Sequence, residues 1–246
     1  MARYDFNAQR LFVEADLAEG AIVTCSAEQA NYLENVLRLR AGDAILVFNG
    51  RDGEWRAELA ASGRRGVSLA IGHKVRGQEG GPDIDYLFAP LKRARLDYMV
   101  QKATEMGAAR LRPVITRRTV AERVNVERMR ANAVEAAEQC GILRIPEVVP
   151  PQKLEAAIAG WDAGRHLVFC DEAAEESCPV TALARVAPGP LALLVGPEGG
   201  FEAAERELLA SKPFVTRISL GPRILRADTA AVAALALLNA VLGDWR

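Results

Sequence analysis

The residues best suited to ligand chemistry lie in a glycine-rich turn directly after an apolar segment. Residues 191–195 are apolar, and Gly196, Gly199 and Gly200 follow them before an acidic helical stretch at 202–211. Glycines at the carboxyl end of a parallel strand let backbone amides approach a ligand closely. The turn lacks the Lys-Ser/Thr of a P-loop and the GxGxxG spacing, and its acids disfavour a triphosphate. It therefore favours a neutral or cationic ligand, with a purely structural strand-to-helix connection as the alternative.

A second strand, glycine turn and helix follow at residues 218–230. Gly221 lies in the turn, with Arg223 and Arg226 after it. Asp228 or Thr229 would also serve as the N-cap of the last helix. Arginines beside two glycine turns at one sheet edge predict a polyanionic substrate that meets a small ligand.

The charge distribution is uneven although the formal net charge is −1. Residues 92–130 hold 11 Lys and Arg against 4 Asp and Glu, a net of +7, whereas residues 131–190 have a net of −5. A basic block attracts phosphates through its local field whatever the total charge. Polyanion binding and a set of solvated helix faces are both compatible with this pattern.

The first part of the chain has the pattern of a small β-domain. Five short apolar segments are predicted as strands at residues 10–13, 21–25, 44–48, 54–60 and 67–71. Turn signals separate them, including Ser62-Gly63, and a helix capped by Ser26 is predicted at 27–37. A small barrel would bury such strands. The polar, Gly-rich residues 77–82 are predicted to be a linker.

From residue 83 onward, strands alternate with helices. Apolar segments predict strands at residues 84–89, 111–115, 166–170, 191–195 and 215–220, and helical spacing predicts helices at 93–106, 126–140 and 228–242. This alternation indicates an α/β fold with a mostly parallel sheet. Both glycine turns then lie at the carboxyl edge of that sheet.

Other features exclude several classes of protein. The longest apolar stretch is interrupted by Asn239, and the first residues lack the apolar core of a secretory signal, so we expect a cytoplasmic protein without membrane spans. The four cysteines are scattered and accompanied by only two histidines, which predicts neither a disulfide framework nor a metal site.

Read together, the two turns resemble the signature motifs of the SPOUT superfamily. Residues 194–201 (LVGPEGGF) and 220–230 (LGPRILRADTA) are similar to those of the RsmE family of 16S ribosomal RNA uridine-N3 methyltransferases. Further matches follow the same order at residues 35–43 (NVLRLRAGD), 101–107 (QKATEMG) and 138–141 (EQCG). The chain departs from the family pattern at Ile142 and at Asp228, where the family usually carries Glu.

The resemblance implies a fold, a cofactor and partners. The fold would be a trefoil-knotted α/β methyltransferase domain at residues 83–246, joined by the linker to a PUA-like β-barrel at 1–76. The cofactor would be S-adenosylmethionine. The partners would be 16S ribosomal RNA, within the assembled small ribosomal subunit, and a second copy of the chain, with the apolar last helix in the interface.

The resemblance also implies roles for individual residues. The residues expected to bind the cofactor are Leu194, Val195, Gly196, Pro197, Glu198, Gly199, Leu220, Gly221, Ile224 and Leu225. Uracil N3 carries a proton, so the reaction calls for a carboxylate base or a cation that stabilises the uridine anion. The candidates are Asp228 and Glu138 as base and Arg226 as cation.

The residues expected to contact RNA are basic. They are Arg38, Arg40, Lys92, Arg93, Arg95, Arg117, Arg118 and Arg144. Two alternatives stay open: another SPOUT reaction, such as ribose 2'-O or guanine-N1 methylation, and a non-catalytic RNA-binding assembly factor. The intact glycines of both turns argue against a lost cofactor site.

Overall fold

The computed structural model describes residues 8–60, 66–120, 123–175 and 178–245, so the predicted turn at Ser62-Gly63 lies outside the described residues. The chain forms two compact units. The first comprises residues 1–80 together with 137–145, and the second comprises 81–136 and 146–246. Residues 137–145, which were predicted to lie in the C-terminal domain, thus pack with the first unit.

The first unit is built on a five-stranded sheet. Its strands are β1 (Arg10–Phe12), β2 (Ile22–Thr24), β3 (Ala44–Phe48), β4 (Glu54–Leu59) and β5 (Ser68–Arg76), in the order β1-β3-β4-β5-β2. The β1–β3 pair is parallel and the other pairs are antiparallel. Strand β5 runs beyond its predicted end at residue 71 because its pairing with β4 continues to Arg76, opposite Glu54.

The prediction of an α-helix at residues 27–37 is correct for the first half of this segment and wrong for the second. An α-helix, α1 (Ala27–Asn31), is followed by a π-helical turn, Tyr32–Val36. As predicted, Ser26 is the N-cap, and its side chain accepts a hydrogen bond from the Gln29 amide. The Leu37 amide donates to the Tyr32 carbonyl at 2.9 Å, the wider spacing of a π-helix. Arg38 then leaves the helix with a φ of 59°, a left-handed conformation that is uncommon for a residue other than glycine.

A buried carboxylate joins the sheet of the first unit to residues 137–145. Glu54 is 1% exposed and accepts hydrogen bonds from Arg10 Nε at 2.9 Å and Arg76 Nε at 2.8 Å. Arg76 also donates to the Gly141 carbonyl at 2.9 Å. A buried charge of this kind persists because it is paired on several sides.

The second unit alternates strands and helices. Its strands are β6 (Ile84–Phe88), β7 (Arg110–Ile115), β8 (Glu147–Val148), β9 (Gln152–Lys153), β10 (His166–Cys170), β11 (Leu191–Val195) and β12 (Val215–Ile218). Its helices are α2 (Arg93–Glu105), α4 (Leu154–Ala159), α5 (Pro179–Leu183), α6 (Ala203–Ala210) and α7 (Ala227–Val241). Helix α3 (Val126–Cys140) begins in this unit, and its last residues pack with the first.

The strands of the second unit form a parallel sheet. Their order is β12-β10-β11-β6-β7-β8, with β9 also paired to β7. Strands β6 and β11 are buried along their whole length, as expected for central strands of a parallel sheet covered on both faces. The predicted bounds of β10 and β11 are confirmed, whereas the short elements β8, β9, α4 and α5 were not predicted.

The last helix begins one residue earlier than predicted. Arg226 is its N-cap and makes no side-chain capping bond, so the expectation of a cap at Asp228 or Thr229 is wrong. Asn239, which interrupts the apolar sequence, is fully buried, and its Nδ2 donates to the carbonyl of Met106 at 2.8 Å. This polar residue therefore satisfies a backbone group at the end of helix α2.

Among the described residues, no helix has the length and apolar character of a membrane span. Nor does the described part of the chain bring together three or more His, Cys, Asp or Glu side chains that could hold a metal ion.

A cluster of arginines surrounds one buried acid near the start of strands β6 and β7. Asp85 is 1% exposed and accepts hydrogen bonds from Arg110 Nε at 2.6 Å and Arg112 Nη1 at 3.0 Å. Arg165 Nη1 lies 3.4 Å from the same carboxylate. Asp85 thus balances three guanidinium groups in the second unit.

We predict that Asp85→Ala lowers the free energy of unfolding by about 3–5 kcal/mol, because it removes the buried carboxylate that binds Arg110 and Arg112 and leaves the half-exposed Asp83 near these guanidinium groups as a weaker partner. Glu105→Gln is the control, since it breaks the more exposed Lys102–Glu105 pair in the same unit and should cost less than about 1 kcal/mol. Urea unfolding followed by circular dichroism compares them. Equal destabilisation by both variants would contradict the role of Asp85.

Candidate functional site

A cavity of about 380 Å³ lies at the carboxyl ends of strands β10, β11 and β12. Three loops line it, residues 170–172, 195–201 and 219–225, together with Ala227 and Ala230 of helix α7. The parallel register sets these loops side by side, because Phe169 pairs with Leu194 and Cys170 pairs with Ile218. Ligands of open α/β sheets bind at this edge.

The first glycine turn packs against Phe201, the residue that follows it in the sequence. A Cβ at Gly196 would lie 2.3 Å from the ring of Phe201, closer than any side chain tolerates. Phe201 is 4% exposed and packs edge-on against Phe169, with 4.9 Å between the ring centroids. Gly196 is therefore required by close packing, whereas Gly200 is required by its φ of 70°.

The second glycine turn is open. Gly221 has a φ of 97°, and a Cβ there would meet no atom within 4 Å. Ile224 is fully exposed and Leu225 is half-buried, and both line the cavity. Apolar side chains exposed on a cavity wall offer a surface for a flat apolar ligand group.

The structure brings together nine of the ten predicted cofactor residues. The nine that line the cavity are Val195, Gly196, Pro197, Glu198, Gly199, Leu220, Gly221, Ile224 and Leu225. Leu194 is fully buried in the core beneath them.

An arginine from helix α2 joins the first turn to helix α7. Arg95 donates from Nε and Nη2 to the two carboxylate oxygens of Asp228, each at 3.1 Å, and from Nη1 to Glu198. The hydrogen bonds from Arg95 hold the pKa of the Asp228 carboxyl below its usual value, although partial burial acts in the opposite direction. Arg95, predicted to contact RNA, is thus committed to two carboxylates at the cavity.

The end of a third strand also lines the cavity, a role that was not predicted from the sequence. Asp171 follows β10 and is buried, and it accepts hydrogen bonds from Arg206 Nη1 at 2.9 Å and Arg217 Nε at 2.8 Å. Arg206 also donates to Glu172, and both acids line the cavity. The signal was present as Asp171-Glu172 directly after an apolar strand, but β10 carries no glycine turn that would have drawn attention to it.

The predicted RNA-binding residues have different surroundings. Arg118 Nη1 donates to the Gly199 carbonyl at 2.8 Å, so it contacts the first turn. The Arg117 side chain is 66% exposed and lies 3.3 Å from Glu155. Lys92 and Arg93 are exposed at the start of helix α2. The remaining three, Arg38, Arg40 and Arg144, belong to the first unit.

The three predicted catalytic residues are not all in one unit. Asp228 and the exposed Arg226 lie at the start of helix α7, next to cavity-lining Ala227. Glu138 belongs to the first unit, where its Oε1 accepts a hydrogen bond from the Phe12 amide at 2.8 Å. This hydrogen bond attaches the end of helix α3 to strand β1. The catalytic role of Glu138 stays a prediction.

Comparisons with known proteins agree with this arrangement. Residues 79–239 match the model of an RNA methyltransferase domain, and residues 26–72 match that of an RNA methyltransferase PUA domain. A relative from Rickettsia conorii, named Ribosomal RNA small subunit methyltransferase E, is 31% identical over 92% of this chain and 93% of its own. A Bacillus subtilis protein of the same name is 28% identical over 94% and 96%.

Solved structures are similar over nearly the whole chain. Ribosomal RNA small subunit methyltransferase E from Neisseria gonorrhoeae, bound to S-adenosylmethionine, superposes with a TM-score of 0.88 at 25% identity and covers 98% of this chain and 100% of its own. A methyltransferase from Legionella pneumophila, also with this cofactor, gives 0.85 at 28% identity, covering 97% and 99%. On the match of residues 79–239, the chain belongs to the RNA methyltransferase domain family and carries the PUA domain found with it.

Proposed function

We propose that this protein transfers a methyl group from S-adenosylmethionine to N3 of a uridine in 16S ribosomal RNA. The observation that carries the proposal is the cavity formed by the two glycine turns, in a chain that is related along its length to small-subunit ribosomal RNA methyltransferases. The substrate is the RNA within the assembled small subunit. The second unit has the trefoil knot of its superfamily, and the first is a PUA-like barrel that binds RNA.

The cavity fits this cofactor in size and polarity. Its volume of about 380 Å³ is in the range of small-molecule sites. Ile224 and Leu225 offer an apolar wall for the adenine, and the backbones of both turns offer hydrogen-bonding groups at close approach. The acids Glu198 and Glu172 line the same cavity, where each accepts a hydrogen bond from an arginine, Arg95 and Arg206 respectively.

When bound, the sulfonium cofactor supplies an activated methyl group. The protein has to align the acceptor and handle the proton of uracil N3. Asp228, a carboxylate that is ionised at neutral pH, accepts this proton. Arg226, exposed two residues before it, offers a positive charge that stabilises the uridine anion.

A second copy of the chain completes the assembly. Helix α7 buries one face within its own unit, including Ala230, Ala234 and Leu238. Other apolar side chains of the helix are less buried: Ala240 is exposed, and the half-buried ones are Val232, Ala233, Ala236, Leu237 and Val241. The partner's equivalent surface covers this face, as in a self-complementary dimer interface.

We predict that Gly196→Ala weakens cofactor binding. The added Cβ must displace Phe201, and overpacking of this kind costs about 1–3 kcal/mol, so affinity should fall roughly 10- to 100-fold if the turn bears the cost. Calorimetric titration with S-adenosylmethionine measures it. Gly160→Ala is the control, because its Cβ has an ordinary contact of 3.7 Å and the residue lies away from the cavity. Unchanged affinity in Gly196→Ala would contradict the pocket assignment.

We predict that RNA binding weakens steeply with salt and that Arg117→Ala flattens the log-log slope by about one unit, as expected for one lost phosphate contact. Arg117 is the residue of choice because Arg118 also contacts the cofactor turn. Filter binding to small subunits across a salt series measures the slope. Lys212→Ala is the control, because Lys212 precedes strand β12 at the edge of the sheet opposite the cavity, and it should keep the wild-type slope. An unchanged slope in Arg117→Ala would show that Arg117 does not contact the RNA.

We predict a homodimer that Val232→Glu with Leu237→Glu converts to a monomer, because two carboxylates would be buried at the interface. Light scattering at micromolar concentration should give about twice 26.6 kDa for the wild type and 26.6 kDa for the variant. Ala210→Glu, exposed at the end of helix α6, should keep the wild-type mass. A monomeric wild type would refute the assembly.

A further inference from the structure

We propose that Arg95 is a positioning residue for methyl transfer, which sets Asp228 and the first glycine turn relative to each other from helix α2. The inference rests on the proposed function and deepens it, since it gives Arg95 a role other than the expected contact with RNA. Its basis is the shared guanidinium: a two-bond contact to Asp228 on helix α7 and a third bond to Glu198 in the turn.

The geometry of the two-bond contact fixes an orientation as well as a charge. A planar guanidinium that donates from Nε and Nη2 to both oxygens of one carboxylate holds that carboxylate in its own plane. Asp228 has a short side chain, and its Oδ1 also accepts a hydrogen bond from the Thr229 amide at 2.9 Å. The carboxylate is therefore held on two sides at the start of α7.

The link to Glu198 extends the effect to the cofactor turn. Glu198 lines the cavity between Pro197 and Gly199 and is otherwise exposed, with 56% of its side chain accessible. Because one guanidinium binds both acids, the cofactor turn and the proposed base are placed by the same side chain. Small errors in such placement have large kinetic costs.

Few charged groups lie near Asp228. Helices α2 and α7 pack against each other, and α2 contributes Arg95. Glu198 faces Asp228 through Arg95. Tyr86 of β6 is a buried phenol whose pKa is raised, mainly by desolvation and in part by the neighbouring Cys170 and Asp228 groups. The other elements packed on α7, helix α5 and strand β11, contain no Asp, Glu, Lys, Arg or His. Arg95 is the cation that sets the ionisation of Asp228.

This arrangement determines the direction of a pH effect. The hydrogen bonds from Arg95 lower the pKa of Asp228, so the carboxylate stays ionised further into the acid range. Without Arg95 the pKa rises. If Asp228 must be ionised to accept the proton, the acid limb of the activity profile then moves to higher pH.

The experiment uses the full-length protein, S-adenosylmethionine and small subunits from cells that lack the protein. kcat, KM and the pH profile of kcat/KM are measured for the wild type, Arg95→Gln, Arg95→Lys, Asp228→Asn and the double variant Arg95→Gln/Asp228→Asn. Asp97→Asn is the matched control, because it breaks another two-bond arginine contact of helix α2, that of Asp97 with Arg128, at 2.8 and 2.9 Å.

We expect Arg95→Gln to lower kcat by roughly 10- to 100-fold, to shift the acid limb to higher pH and to retain most of its affinity for small subunits. Arg95→Lys keeps the positive charge but cannot make the two-bond contact. The acid limb of its pH profile should therefore lie close to that of the wild type, whereas its kcat should stay low. Replacing Arg95 in the Asp228→Asn background should slow the reaction by a smaller factor than replacing it in the wild type, because the contact with Asp228 is shared and only the bond to Glu198 is lost in addition. Asp97→Asn should keep the wild-type pH profile.

Several outcomes would overturn the inference. One is an acid limb in Arg95→Gln at the wild-type position; another is full activity of Asp228→Asn. A third is an Arg95→Gln variant with a higher KM for small subunits, a flattened salt slope and an unchanged pH profile, which would indicate that Arg95 binds RNA. If Arg95→Gln does not fold, Arg95→Lys tests the inference, and a wild-type kcat in that variant would overturn it. A wild type that methylates no small-subunit RNA would refute the proposed function instead, so the two failures are distinguishable.

Discussion

The parallel pairing of β12, β10 and β11 is the constraint on which the site depends. It places three strand ends side by side, and each supplies a different wall of the cavity: acids after β10, and glycine turns after β11 and β12. Parallel strands need long connections between them, so the residues of the site come from distant parts of the sequence. The buried contact of Phe201 with Phe169 then fixes the first turn to the end of the neighbouring strand.

Much of the fold follows from the sequence because its signals are local. The predicted bounds of β3, β10, β11 and α3 are those observed, since apolar runs and helical spacing report burial directly. The glycine turns were recognised for the same reason. The predictions failed where the deciding interaction was distant or subtle: the π-helical turn after Asn31 depends on how Leu37 and Leu39 find carbonyl partners, which no periodicity shows.

The electrostatic organisation of the site was the least predictable part. Arg95 lies 133 residues from Asp228 and 103 from Glu198 along the chain, and nothing in the spacing links them. A basic block looks the same in sequence whether its members face solvent, contact a turn as Arg118 does, or bind carboxylates as Arg95 does. Glu138 shows the converse case, in which a residue of a recognisable motif is bound to a backbone amide of strand β1.

Cys170 lines the cavity beside Asp171, and burial, together with the charge of Asp171, raises the pKa of its thiol to about 12. Thiolates are nucleophiles and thiols are not. A protein that binds an electrophilic methyl donor, as proposed, carries the hazard of alkylating its own side chains. At neutral pH Cys170 is almost wholly protonated, so the environment that shapes the pocket wall also makes it chemically inert toward the reagent it encloses.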